Sequence, residues 1–471
     1  MHRVESQRTL FEKLWTAHLV RDLGNGVGLL AIDRVFLHER TGSIALKSLR
    51  QSGRAIADPA RVFCTMDHIV DTLPGRGDDT RMPGGRAFIV ETREAAREAG
   101  LRLFDVQDPD QGIVHVISPE LGIALPGATI VCPDSHTCTQ GAMGAMAWGI
   151  GSTEAEHALA TGTLRVRRPR TLRVRFEGRL PPGVTAKDLS LALLRRHGAA
   201  GGDGCAVEYA GAAVRDLDVE ARLTLCNMAT EFSAMTAVIA PDERTFEYLH
   251  GRRFAPAGAA WDAAVAQWRR LASDEGARFD REISIAADDL APMVTWGTSP
   301  QHASPIDGRV PELQDSGTSR EAYERALAYM DLHPGVELGS LAIDAAFIGS
   351  CTNSRLSDLR RAAAVLRGRR VAPGVRAICV PGSMTVKRAA EAEGLDRVFR
   401  ESGFEWRESG CSMCFYAGGE SFGPRQRVVS STNRNFESRQ GPETRTHLAS
   451  PETVAASAIA GRLADPRRLA G

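Results

Sequence analysis

The sequence has no long apolar run, almost no lysine and no net charge. No stretch approaches the roughly 20 apolar residues needed to span a bilayer, which argues against a helical membrane protein. Met1 to Trp15 carry no apolar run behind their charges, so no signal peptide is expected. Lysine occurs only at positions 13, 47, 187 and 387, a bias expected of a GC-rich coding genome. Basic and acidic residues balance at 58 each, so bulk charge gives no footprint for nucleic acid or an acidic membrane. Nine cysteines, an odd number spread thinly over 471 residues, do not form a disulfide framework. Neither an internal repeat nor a low-complexity tract is evident. What remains is an ordinary globular composition, 43% hydrophobic and 25% charged, expected in the cytoplasm. At roughly 150 residues per domain, the length suggests about three domains.

Periodicity divides the chain into three zones, 1–168, 169–293 and 294–471. The first mixes helical segments with short apolar strands, one expected over Gly112-Ile-Val-His-Val-Ile117. The second opens on the alternating strand Thr171-Leu-Arg-Val-Arg-Phe176, followed by a helix near Thr185 with Asp188 placed for a capping box. The third reads β–α–β, with strands over 341–349 and 375–380 and a helix from Leu356 to Arg367. A last helix is expected from Thr453 to Leu463. Apolar strands alternating with amphipathic helices predict α/β layers throughout.

Polar clusters follow several strands, where sites form in open α/β sheets. Gly349-Ser-Cys-Thr-Asn-Ser354 follows an apolar strand, and Gly410-Cys-Ser-Met-Cys414 comes some sixty residues later. One cysteine plus a Cys-x-x-Cys pair can hold three corners of an iron–sulfur cube. A zinc site lacking its fourth ligand, a redox dithiol, or a buried cysteine beside a chance pair are the alternatives left open. Ser431-Thr-Asn-Arg-Asn-Phe436 followed by Arg439 places two guanidiniums five apart, suited to planar carboxylates; alone, it also fits a surface salt-bridge loop. Asp67-His68, His115, Asp134-Ser-His136 and the run Asn227 to Glu231 supply acid–base groups, although any single Asp–His pair is more often structural.

Together these strings resemble the aconitase superfamily, and within it the large subunits of the isopropylmalate isomerase branch. The resemblance runs nearly end to end. It includes Thr65-Met-Asp-His68, Asp134-Ser-His-Thr137, Thr224-Leu-Cys-Asn-Met228, Thr295-Trp-Gly-Thr298, Phe347-Ile-Gly-Ser-Cys-Thr-Asn-Ser354, Gly410-Cys-Ser-Met-Cys414 and Asn433-Arg-Asn-Phe436. It implies three α/β/α lobes around one [4Fe–4S] cluster ligated by Cys351, Cys411 and Cys414, with one iron lacking a protein ligand. It further implies dehydration and rehydration of a 2-substituted malate. Asp67, His68, His115, Asp134, His136 and Glu231 would then form the acid and hydrogen-bonding set. Arg434 and Arg439 would hold substrate carboxylate, with Asn227 and Asn433 near the cluster. No Gly-Ser-Ser-Arg motif is present. The implied partner is a separate small subunit carrying the mobile swivel domain and the serine that takes the carbon-bound proton.

Some positions depart from the pattern the resemblance implies. Ile44 stands where a substrate-contacting glutamine is expected, Ile69 where asparagine is usual, and Pro133 where glycine is usual. Gly162 replaces a glutamine, while Ser233 and Ser438 replace glycines. These changes leave open whether the substrate is 2-isopropylmalate, for leucine biosynthesis, or another alkyl-, aryl- or homocitrate-like malate. RNA binding, known among cluster-free relatives, is disfavoured by the neutral charge and the lack of a basic stripe.

Overall fold

The structure is a computed structural model that describes residues 7–416 and 419–469. The first six residues, part of the stretch read as free of a signal peptide, lie outside the described residues, as do the last two of the third zone. Three parallel sheets dominate. Spatially, the first is ordered Arg102–Phe104, Val62–Thr65, Arg34–His38, Thr129–Cys132, Met146–Gly149. The second is ordered Thr236–Val238, Ala206–Ala210, Thr171–Glu177, Arg281–Ala286. The third is ordered Phe404–Trp406, Arg376–Cys379, Ala345–Ile348, Arg427–Ser430, Arg445–Leu448. Central parallel strands are covered on both faces and so read as unbroken apolar runs; Thr129–Cys132 and Ala345–Ile348 are buried at every residue. Three large apolar cores accompany the sheets. A three-stranded antiparallel sheet and a two-stranded one complete the strands.

Local signals explain several boundaries. The helix Ala186–His197 starts at the expected box, with the Thr185 amide donating to Asp188 Oδ2 at 2.7 Å. The helix expected to reach Arg367 is Leu356–Leu366, with Arg367 as its C-cap. The last helix is Pro451–Ala460, entered through Ser450 as N-cap. One expectation fails. Residues 112–117 are not a strand: Gly112 makes only an isolated bridge to Ser383, and Val114–Glu120 is a helix. A six-residue apolar run carries no decisive period, and Asp67 Oδ2 accepts the Val114 amide at 3.0 Å, fixing the helix start. Among the described residues no helix is long and apolar enough to cross a membrane.

Candidate active site

Chain order reverses between Arg34–His38 and Thr129–Cys132 in the first sheet, and between Ala345–Ile348 and Arg427–Ser430 in the third. Such reversal points open a crevice beyond the carboxyl ends of the strands. His38 ends the first strand of the first pair and Asp134 follows the second, while Cys351 and Asn433 follow the strands of the other pair. All four line one cleft of about 220 Å³. The second sheet's region contributes from one side. Asn227 ends the helix Val219–Asn227, and Glu231 lies in the short turn Met228–Phe232.

The acid–base residues form one network. Asp134 lies at its centre: His115 Nε2 is 2.9 Å from its Oδ1, His68 Nε2 is 3.2 Å from its Oδ2, and the His136 amide donates to Oδ1 at 2.8 Å. Burial alone would raise the Asp134 carboxyl, but the charge of His115 and hydrogen bonds from three histidines hold it well below the usual carboxylate range. His68 Nδ1 sits 2.6 Å from Asp67 Oδ1. Burial opposes charge on His68, yet Asp67, Cys411 and the bond to Asp134 outweigh it and lift the imidazole well above its ordinary value. His136 Nε2 is 3.0 Å from Glu231 Oε1, and Arg434 Nε reaches the same oxygen at 2.8 Å. The result is one hydrogen-bonded chain in which His68 is held toward its charged form.

The three thiols are all buried and line the same cleft. Polar donors converge on them. Asn227 Nδ2 donates to Cys351 Sγ at 3.2 Å and Asn433 Nδ2 at 3.6 Å, while Ser350 Oγ lies 3.2 Å from Cys414 Sγ. Arg439 Nη2 lies 3.8 Å from Cys414 Sγ. Burial pushes the Cys351 thiol up to about 12; a metal bound there would hold it as thiolate. Among the described residues, the one group of potential ligands gathered within 4.8 Å is His38, Glu39, Asp67 and His68. The three thiols do not close to that spacing.

Supporting residues went unnoticed in the sequence. Glu39 is buried and accepts the backbone amides of Asp67, His68 and Ile69, shaping the loop that carries Asp67 and His68. His38 stacks on His68 with ring centroids 4.0 Å apart, and burial, then the charge of His68, lowers it to about 4. Arg355 ties the carbonyls of Cys351 and Thr352 to that of His115. Lys187 donates to the carbonyls of Ser431 and Thr432, beneath Asn433 and Arg434. A charged residue next to a capping acid, as in Lys187-Asp188, was the available signal.

The departing positions also have places. Ile44 is 52% exposed, one helical turn beyond Arg40, and is not among the residues facing the cleft. Ile69 is fully buried. Pro133 lines the cleft and its carbonyl accepts from Thr41 Oγ1 at 3.2 Å. Ser233 and Ser438 both have φ of 63°, the left-handed region where glycine is unstrained. Gly162, at φ 64°, closes the helix Ser152–Thr161.

Known proteins match this architecture. The model of the aconitase family (aconitate hydratase) matches residues 12–461. The 3-isopropylmalate dehydratase large subunit 1 of Bradyrhizobium diazoefficiens is 53% identical, covering 98% of this chain and 97% of its own length. The 3-isopropylmalate dehydratase large subunit of Roseiflexus castenholzii is 51% identical, covering 98% of this chain and all of its own. Among solved structures, the holo-form of Thermococcus kodakaraensis aconitase X matches at 14% identity and TM-score 0.46, over 86% of this chain and 84% of that one, a likeness too loose to carry chemistry. A family implies its cofactor class, here an iron–sulfur cluster, and the full-length match leaves the assignment plain: the chain belongs to the aconitase family.

Proposed function

We propose that the chain is the large subunit of a cytoplasmic 3-isopropylmalate dehydratase, interconverting 2- and 3-isopropylmalate by loss and return of water in leucine biosynthesis. Residues 1–168, 169–293 and 294–471 are its three lobes. The observation that carries the reading is the meeting of three buried thiols with the Asp134-centred histidine network in one cleft. Cys351, Cys411 and Cys414 would hold a [4Fe–4S] cluster, which supplies a Lewis acid at an iron without a protein ligand. Arg434 and Arg439 bind substrate carboxylates. Asp67 and Asp134 orient His68 through its two ring nitrogens and keep it charged. His68 gives its proton to the departing hydroxyl, which leaves as water, and recovers a proton when water adds at the neighbouring carbon. The carbon-bound proton is taken by a serine of a small subunit and given, on rehydration, to the carbon that lost the hydroxyl; the swivel domain of that subunit closes the cleft. Exposed Tyr416 and Phe436, beside the cleft residues Phe415 and Arg434, support a covered mouth.

The test is co-purification with a small subunit under anaerobic conditions, followed by assay with 2-isopropylmalate. Conversion to 3-isopropylmalate by the pair and not by the chain alone is expected. Full activity of the isolated chain would contradict the partner requirement, and no conversion by the loaded pair would contradict the substrate.

A further inference from the structure

Arg40, in the first turn of the helix Glu39–Gln51, lines the cleft that holds His68, Asp134 and the three thiols. Its guanidinium stacks over the Phe415 ring at 4.9 Å from the centroid, and the Arg439 guanidinium stacks over the same ring at 5.0 Å. Arg439 also lies 5.1 Å over Phe436. These aromatic faces hold both guanidiniums, and of their N–H groups Arg439 Nη2 reaches Cys414 Sγ at 3.8 Å. Among the described residues, the buried Nη1 atom of Arg40 has no hydrogen-bond partner, and Nε of Arg439 is in the same condition. Arg434 differs: Glu231 Oε1, 2.8 Å away, already compensates its charge. The cleft therefore presents two oriented guanidiniums with free donors. A buried unpaired donor costs about 1–3 kcal/mol, and a planar carboxylate is the group that relieves it with matched geometry.

From this we propose that Arg40 binds a substrate carboxylate. It acts with Arg439 across Phe415, so that the dicarboxylate is gripped from the first and third sheets together. Resting on the dehydratase reading, the inference deepens it: Arg434 and Arg439 were legible as carboxylate binders in the sequence, and Arg40 was not. The two-armed grip selects diacids. A substrate lacking either charge leaves one guanidinium buried without its partner.

The test compares wild type, Arg40→Lys and Arg40→Met, each as the cluster-loaded pair with its small subunit. The substrates are 2-isopropylmalate and its two monoamides. For Arg40→Met, KM for the diacid should rise about tenfold to a hundredfold, with kcat changing far less. Preference for the diacid over one monoamide should collapse. Arg40→Lys should recover part of both. Equal loss on diacid and monoamides, or an unchanged KM, would overturn the proposal and leave Arg40 only a support for Phe415. If wild type fails to convert 2-isopropylmalate, the dehydratase reading falls. Calorimetric binding of malate to the same three proteins then decides Arg40: about tenfold or greater weakening in Arg40→Met supports it, and equal binding overturns it.

Discussion

Asn227 Nδ2 donates to Cys351 Sγ at 3.2 Å, joining the end of the helix Val219–Asn227 to the thiol loop after Ala345–Ile348. The same amide group also donates to Thr139 Oγ1 at 2.9 Å, and its Oδ1 accepts from Thr352 Oγ1 at 2.7 Å. One fully buried side chain thus spans all three sheets. Asn227→Leu leaves the Thr352 hydroxyl unpaired in the interior and removes the donor to Thr139, whose own hydroxyl keeps its bond to the His136 carbonyl. A stability loss of about 2–4 kcal/mol is expected, read as a lower urea midpoint at unchanged slope. Asn227→Asp should bring carboxylate charge to Cys351 and lower cluster retention, followed by visible absorbance.

Asp134 bridges His68 and His115 and caps the turn at His136. Asp134→Asn keeps the size but removes the charge that holds two imidazoles. A kcat fall of about 10²–10⁴ is expected, with near-native circular dichroism and thiol content. Retention of more than a tenth of wild-type kcat would place the proton chemistry elsewhere.

Glu120 lies under Ser383, whose hydroxyl donates to it at 2.7 Å. Burial, only partly offset by that bond, raises its carboxyl to about 7. Its folded value exceeds the unfolded one of roughly 4.3, so its contribution to stability is full below the unfolded value and is lost as pH rises toward 7. The loss amounts to about 4 kcal/mol. Glu120→Gln retains an acceptor for Ser383, so urea midpoints measured from pH 5 to 8 should lose this decline.

His302 works in the opposite direction. It stacks on Trp296 at 4.8 Å, and among the described residues neither ring nitrogen has a partner. Burial lowers it to about 4, below the unfolded value of about 6.5. Its stabilisation is present above the unfolded value and lost as pH falls toward 4. His302→Phe keeps an aromatic face on Trp296 and should flatten the acid limb of the stability profile between pH 6.5 and 4.

Much of the site was legible because parallel sheets place chemistry in short strings after apolar strands. Cys351 after Ala345–Ile348 and Asp134 after Thr129–Cys132 are such cases. Boundaries set by capping acids, such as Asp188, were equally plain. What escaped depends on contacts distant in sequence. The helix at Val114–Glu120 is fixed by Asp67, 47 residues earlier. Glu39 accepts amides about thirty residues away, and Lys187 reaches carbonyls 244 and 245 residues on. Arg40 was hidden for the same reason, since its partner in stacking lies in the loop after Cys414. Ile44 shows the converse: its string suggested a cleft position, and the helix turns it outward.

The most direct test of the account is iron and acid-labile sulfide analysis of the full chain purified without oxygen, alongside triple replacement of Cys351, Cys411 and Cys414 by serine. About four iron and four sulfide per chain are expected, with broad visible absorbance, and both should vanish in the triple variant while secondary structure persists. Zinc in place of iron, or an iron–sulfur content unchanged by the triple replacement, would contradict the account.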